Sequence, residues 1–134
     1  KSKLKICKPK IFISGLNPHA GDKGQVGKEE IEQIIPAIKT LKKSGYNVCG
    51  PISSDTLFEK NFRTKYDVAV CMYHDQALIP IKSLSFNNVV NITLGIDYIR
   101  TSPDHGTALE IAGKNKANPQ SLINAINKAQ KLIS

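Results

Sequence analysis

Apolar positions along this chain recur with two periods. Short runs at residues 10–14, 46–49, 67–71 and 88–94 are rich in Ile, Val, Phe and Tyr and read as strands. Between them, Ile31, Ile34, Ile35, Ile38 and Leu41 recur at helical spacing and predict one apolar stripe. Glu29, Glu30 and Glu32 lead that helix, Lys39, Lys42 and Lys43 close it, and Gly45 fits its C-cap, which suits the helix dipole. Pro36 inside it requires a kink or a local adjustment. Ser53, Ser54 and Asp55 offer N-caps for a short helix through Phe58. Residues 76–83, with Pro80 and Lys82, read as a brief helical or irregular segment, and residues 99–103 as a loop. Residues 107–112 predict a short helix closed by Gly113. Asn118 and Pro119 form an N-cap and N1 pair before a closing helix striped by Leu122, Ile126, Ala129 and Ile133. Strands alternate with helices and no repeat or linker intervenes, which predicts one layered α/β unit over residues 1–134.

Composition narrows the class. At 134 residues and 40% hydrophobic positions the chain has the makings of one globular core. No apolar run approaches the roughly 20 residues that span a bilayer, and no signal peptide is visible, so no membrane partner is expected. Residues 1–6 are charged without a following apolar block and read as the interior of a longer protein. Three cysteines, Cys7, Cys49 and Cys71, show no paired spacing, which favours a reducing cytoplasm; Cys49 and Cys71 read as small buried hydrophobes. The net charge of +8 raises nucleic acid as a partner, but the lysines are scattered and no stacking or helix-turn-helix pattern accompanies them. A lysine-rich solvated surface that also suits anionic small ligands is the better account.

The chemistry concentrates around the three histidines. His74, in Met72-Tyr73-His74-Asp75-Gln76, follows a strand run, where open α/β sheets place ligands. Neutral imidazole is a good ligand for a divalent metal, and the adjacent Asp75 can orient it. His19, in Gly15-Leu16-Asn17-Pro18-His19-Ala20-Gly21, follows another strand run. His105 lies in Asp104-His105-Gly106-Thr107. None sits on a helical apolar stripe. The glycines at 15, 21, 24 and 27 allow a tight turn or close approach to a ligand, but form neither a dinucleotide fingerprint nor a Walker sequence.

Four segments taken together, residues 15–21, 73–76, 91–95 and 100–108, make the chain resemble the 4-hydroxythreonine-4-phosphate dehydrogenases of pyridoxal phosphate biosynthesis. The resemblance runs through nearly the whole chain and corresponds to the carboxyl-terminal part of such an enzyme. It implies a partial chain of an α/β/α layered fold like that of isocitrate and isopropylmalate dehydrogenases. It also implies a divalent metal (zinc, magnesium or cobalt) on His19 and His74, with a third histidine ligand upstream of Lys1. His105 belongs to a different motif and does not replace that ligand. Lys82, Asn91 and Arg100 match substrate-binding positions, and Lys82 and Arg100 suit a phosphorylated, carboxylated substrate. Asp75 and Lys82 are the candidates for proton handling. The segment from Asp104 to Pro119 is similar to the cofactor loop of the isocitrate and isopropylmalate enzymes. That likeness implies contact with the adenosine of NAD or NADP at His105, Gly106, Thr107, Ala108 and Asn118.

The implied protein is a cytoplasmic homodimer with a shared active site, oxidising 4-phosphooxy-L-threonine, and this fragment is inactive alone. Two rivals stand beside it. One is a hydroxyacid dehydrogenase of the isocitrate type, which would hold its metal with aspartates rather than histidines. The other is a non-catalytic basic module that binds nucleotides or nucleic acid.

Overall fold

The computed structural model describes residues 6–133. The charged start at residues 1–6, read above as the interior of a longer protein, lies outside the described residues except for Ile6. Contacts divide the described chain into two compact units, residues 6–80 and 81–133, where the sequence reading treats it as one.

In residues 6–80, β1 (Ile11–Ser14), β2 (Val48–Ile52) and β3 (Val68–Val70) form a parallel sheet in the order β2-β1-β3. Ile11 pairs with Val48 on one side and Val68 on the other. As the central strand, β1 is covered on both faces. Ile13 packs with Ile34, Ile38 and Val48, flanked by Ile11 and Met72. Phe12, one pleat step away, meets Phe62 edge-on at 5.7 Å and Tyr66 at 5.3 Å between ring centroids. The Tyr66 hydroxyl donates to the Leu57 carbonyl at 3.0 Å, closing that layer over the short helix α2 (Ser54–Leu57).

Three sequence expectations change here. The strand read as residues 46–49 begins at Val48 and continues through a cis Gly50–Pro51 bond to Ile52. Gly50 makes this possible, because its φ is 147° and a Cβ there would stand 2.5 Å from the Ile13 carbonyl oxygen. Cys49 is exposed rather than buried, because β2 is an edge strand; Cys71, just past the other edge strand, is half-buried. The isoleucine stripe is broken as well. Residues Glu30–Ile34 form a π-helical turn before α1 (Ile35–Lys43), with Pro36 in the first turn of α1. The extra residue in that turn shifts the phase of the stripe at its start, so Glu30 joins Ile34 and Ile38 inside while Ile31 faces solvent; Leu41, near the end of α1, is partly exposed as well.

Helix α3 (His74–Ser85) is longer than the segment expected at 76–83 and carries Pro80 inside it. In residues 81–133, β4 (Val90–Thr93) and β5 (Arg100–Pro103) pair antiparallel, Thr93 opposite Arg100 and Asn91 opposite Ser102. The expected loop at 99–103 is therefore largely strand. The short helix expected at 107–112 shrinks to one 3-10 turn, Leu109–Ile111. Helix α4 (Gln120–Ile133) lies against the ribbon, and Asn118 caps it as expected, its Oδ1 accepting the Gln120 N–H at 2.9 Å. The buried face of α4 is Ser121 and Ala125, while Leu122, Ile126 and Ile133 are exposed. Small residues let the helix approach closely: Thr101 Oγ1 donates to the Ala125 carbonyl at 2.9 Å, and Ser121 Oγ to that of Val89 at 3.3 Å. No helix among the described residues is long and apolar enough to cross a membrane.

Candidate functional site

Both candidate metal ligands follow carboxyl ends of strands in the parallel sheet. His19 lies just beyond β1, in the turn Pro18–Gly24, and His74 opens α3 a few residues after β3. One buried amide fastens the two segments. Gln76 Nε2 donates to the Gly15 carbonyl at 2.7 Å and to Ser54 Oγ at 2.8 Å, while its Oε1 accepts the Met72 N–H at 2.7 Å. Ser14 Oγ lies 3.0 Å from Ser54 Oγ and 2.9 Å from the Gly15 carbonyl, so four polar groups satisfy one another where the two segments meet.

His19 lines a cavity of ≈ 260 Å³ with Asn17, Ser53, Asp55 and Tyr73, the last being the neighbour of His74. Asp55 is held below the usual carboxylate range by a hydrogen bond from Ser53 and, among smaller causes, by the charge of His19. His74 Nδ1 lies 2.8 Å from Asp75 Oδ1, with the side chains 77% and 71% exposed. A carboxylate on Nδ1 fixes the ring and leaves Nε2 for a ligand, the arrangement that metal-binding histidines commonly show. The donor chemistry therefore fits a zinc- or cobalt-type ion. Among the described residues no three His, Cys, Asp or Glu side chains come together, so they carry at most part of a ligand set.

The remaining candidates lie in residues 81–133. Alternation along β4 and β5 places Asn91, Thr93, Arg100 and Ser102 on one face of the ribbon. Arg100 Nη1 donates to Thr93 Oγ1 at 2.9 Å, which holds the guanidinium over that face. Lys82 Nζ stands 3.5 Å from Asp104 Oδ2. That oxygen is buried without a hydrogen bond, so the ammonium is its compensation. A larger cavity, ≈ 690 Å³, is lined by His105, Gly106, Thr107, Ala108 and Asn118, together with apolar residues such as Phe86 and Ile111. Ala108 adopts left-handed backbone (φ 45°) at the start of the Leu109–Ile111 turn, which folds the segment around this space. All five expected cofactor residues thus share one cavity of the size that small ligands occupy.

A family model described as pyridoxal phosphate biosynthetic protein PdxA matches residues 1–129. The chain belongs to this family. It is 56% identical over its whole length to 4-hydroxythreonine-4-phosphate dehydrogenase of Bradyrhizobium diazoefficiens, of which it covers 39%. The crystal structure of 4-hydroxythreonine-4-phosphate dehydrogenase from Klebsiella pneumoniae superposes with a TM-score of 0.84 at 43% identity, covering 97% of this chain and 39% of that one. A terephthalate 1,2-cis-dihydrodiol dehydrogenase from Burkholderia xenovorans is also similar, with a TM-score of 0.70 and 33% identity. The chain thus spans about two fifths of the length of the PdxA relatives it matches, and its α/β architecture is that of a partial PdxA fold.

Within that fold, sequence reasoning gave no site role to Gln76, Ser14, Ser54 or Glu30. A signal was present for some of them: Ser14 ends an otherwise apolar strand, and Gln76 follows His-Asp at a strand-to-helix turn. The glycines at 15, 21, 24 and 27 read as allowing a tight turn or close approach to a ligand. Gly21 faces Glu30, whose Oε2 lies 2.5 Å from where a Cβ would be.

Proposed function

We propose that this chain is the carboxyl-terminal part of a homodimeric, cytoplasmic dehydrogenase. The enzyme oxidises the C3 hydroxyl of 4-phosphooxy-L-threonine with NAD or NADP, giving an amino-oxo acid that loses carbon dioxide to yield 3-amino-2-oxopropyl phosphate. The observation that carries the reading is the single cavity of ≈ 690 Å³ formed by His105, Gly106, Thr107, Ala108 and Asn118, within a chain of the PdxA family. Gly106 lets the backbone come close to a nucleotide, and the His105 imidazole can stack on or hydrogen-bond adenosine.

When bound, a divalent ion would supply Lewis-acid polarisation of the substrate oxygen and the nicotinamide would supply a hydride acceptor. The chain's own residues bind and orient. His19 and His74 would hold that metal, with Asp75 fixing the His74 ring through Nδ1. Arg100, presented beside Asn91 on the ribbon, offers a planar fork to phosphate or carboxylate. Lys82, held by Asp104, is a second cation for the same substrate. Asp75, one oxygen of which is engaged by His74, has a second to take the hydroxyl proton.

Calorimetric titration with NAD, NADP and AMP tests the cofactor assignment. The dinucleotides and AMP should bind, and His105→Ala and Thr107→Trp, the latter filling the cavity, should weaken all that bind. Binding unaffected by either change would move the cofactor elsewhere. DNA or RNA binding that vanishes with salt, without nucleotide binding, would favour the basic-module alternative.

A further inference from the structure

The segment that carries His19 is the most unusual stretch of backbone among the described residues. Residues 19–23 all have positive φ: 53°, 55°, 80°, 41° and 56°. Left-handed helical backbone is unfavourable for an L-residue, and here only Gly21 escapes that. Such a turn persists only where its surroundings over-determine it.

The surroundings converge on Glu30. This carboxylate is 2% exposed, and no cation pairs with it among the described residues. Its charge is met by donors from the strand-to-turn junction. Oε1 accepts the backbone N–H groups of Leu16 and Asn17, both at 2.7 Å, and Oε2 accepts Asn17 Nδ2 at 2.9 Å. Burial works to raise its pKa, but the hydrogen bonds from Asn17 and Leu16 outweigh that and hold it below the ordinary carboxylate value. Oε2 also occupies the space beside Gly21, so the turn wraps onto the carboxylate from both ends. The π-helical turn that starts at Glu30 brings this side chain inward in place of the neighbouring isoleucine.

We propose that Glu30 is a positioning residue for His19, holding the left-handed turn so that the imidazole is pre-set toward a metal ion. The proposal rests on the reading of His19 as a metal ligand. Glu59 supplies an internal contrast. It too accepts two backbone N–H groups, those of Asn61 and Phe62 at 2.9 Å each, but it serves a segment with no histidine.

Glu30→Gln is the informative change. Glutamine keeps the shape and one oxygen for the backbone donors, but points an NH2 at the Asn17 NH2. If Asn17 flips to accept it, the Asn17 oxygen turns toward Glu29 Oε2, to which Asn17 Nδ2 donates at 2.7 Å in the parent. The turn loosens without a cavity.

The experiment is calorimetric titration of the full chain with Co²⁺. His19→Ala, Glu30→Gln, Glu59→Gln and Asn17→Ala are compared with the parent, and circular dichroism checks each fold. Glu30→Gln should weaken Co²⁺ binding about tenfold, in the range found for groups that orient metal ligands. Glu59→Gln should lower stability with Co²⁺ affinity unchanged. Asn17→Ala, which removes the side-chain bonds to Glu30 Oε2 and Glu29 Oε2 but leaves both backbone donors on Glu30 Oε1, should give a smaller loss of the same sign and stands in if Glu30→Gln does not fold. Parent-like affinity in a folded Glu30→Gln or in Asn17→Ala, with affinity lost in His19→Ala, overturns the positioning role alone. Parent-like affinity in His19→Ala overturns the metal reading, and the proposal falls with it.

Discussion

Replacing Gln76 by leucine tests the polar network that ties the two histidine segments together. Leucine fills nearly the same volume, so the perturbation is the loss of hydrogen bonds rather than a cavity. The Met72 N–H loses the acceptor it holds at 2.7 Å. A buried donor left without a partner costs about 1–3 kcal/mol. The Gly15 carbonyl loses the 2.7 Å bond from Nε2 but keeps the Ser14 hydroxyl at 2.9 Å, so its share is nearer 1 kcal/mol. Ser54 likewise keeps Ser14. The sum is about 2–4 kcal/mol, which with a urea slope near 2 kcal/mol/M lowers the midpoint by roughly 1–2 M. Urea titration followed by circular dichroism measures it, and amide exchange at Met72 should quicken markedly. Gln76→Glu gives a sign test. Its carboxylate would face the Gly15 carbonyl, so its folded pKa should rise above the unfolded value. The penalty relative to the parent is then present at neutral pH and shrinks as pH falls through the raised folded pKa. A midpoint for Gln76→Leu within about 0.3 M of the parent would refute the reasoning.

Other outcomes follow from the same geometry. Leu57→Ala, at a position 0% exposed, should cost about 2–5 kcal/mol in urea unfolding. Glu30 and Glu59 have folded pKa values below the unfolded value, so the stability they contribute is present above about pH 4.5. It is lost as pH falls through the lower folded values; urea midpoints between pH 7 and pH 3 should drop, and a flat profile would count against both carboxylates. In a full-length version, Arg100→Lys should keep the charge and lose the fork, raising KM for the phosphorylated substrate by the equivalent of about 1–3 kcal/mol. An unchanged KM would remove Arg100 from the site.

What could be read in the sequence was what local patterns determine. The alternation of strand and helix, the Asn118 cap and the grouping of His105 with Gly106, Thr107 and Ala108 all follow from neighbours in the chain. What escaped depends on partners far apart. Gln76 finds its acceptor 61 residues away at Gly15, and nothing in Tyr73-His74-Asp75-Gln76 marks the amide as buried. The Arg-Thr-Ser-Pro of β5 lacks apolar alternation and is a strand because β4 pairs with it. The closing helix buries Ser121 and Ala125 rather than its isoleucines, since close approach to the ribbon favours small residues there. The isoleucine stripe before Gly45 misled because the π-helical turn shifts the phase of the helix, and Glu30 was read as a dipole charge instead of a buried anchor.

The central claim is that these residues are one part of a divided dehydrogenase site, and the most direct measurement is reconstitution. The purified chain is assayed for NAD(P)H absorbance with added divalent metal and 4-phosphooxy-L-threonine, first alone and then mixed with the amino-terminal portion of a PdxA relative. The account predicts no turnover by the chain alone and activity in the mixture that His19→Ala or His74→Ala abolishes. Robust turnover by the chain alone, or a reconstituted activity indifferent to both histidines, would contradict it.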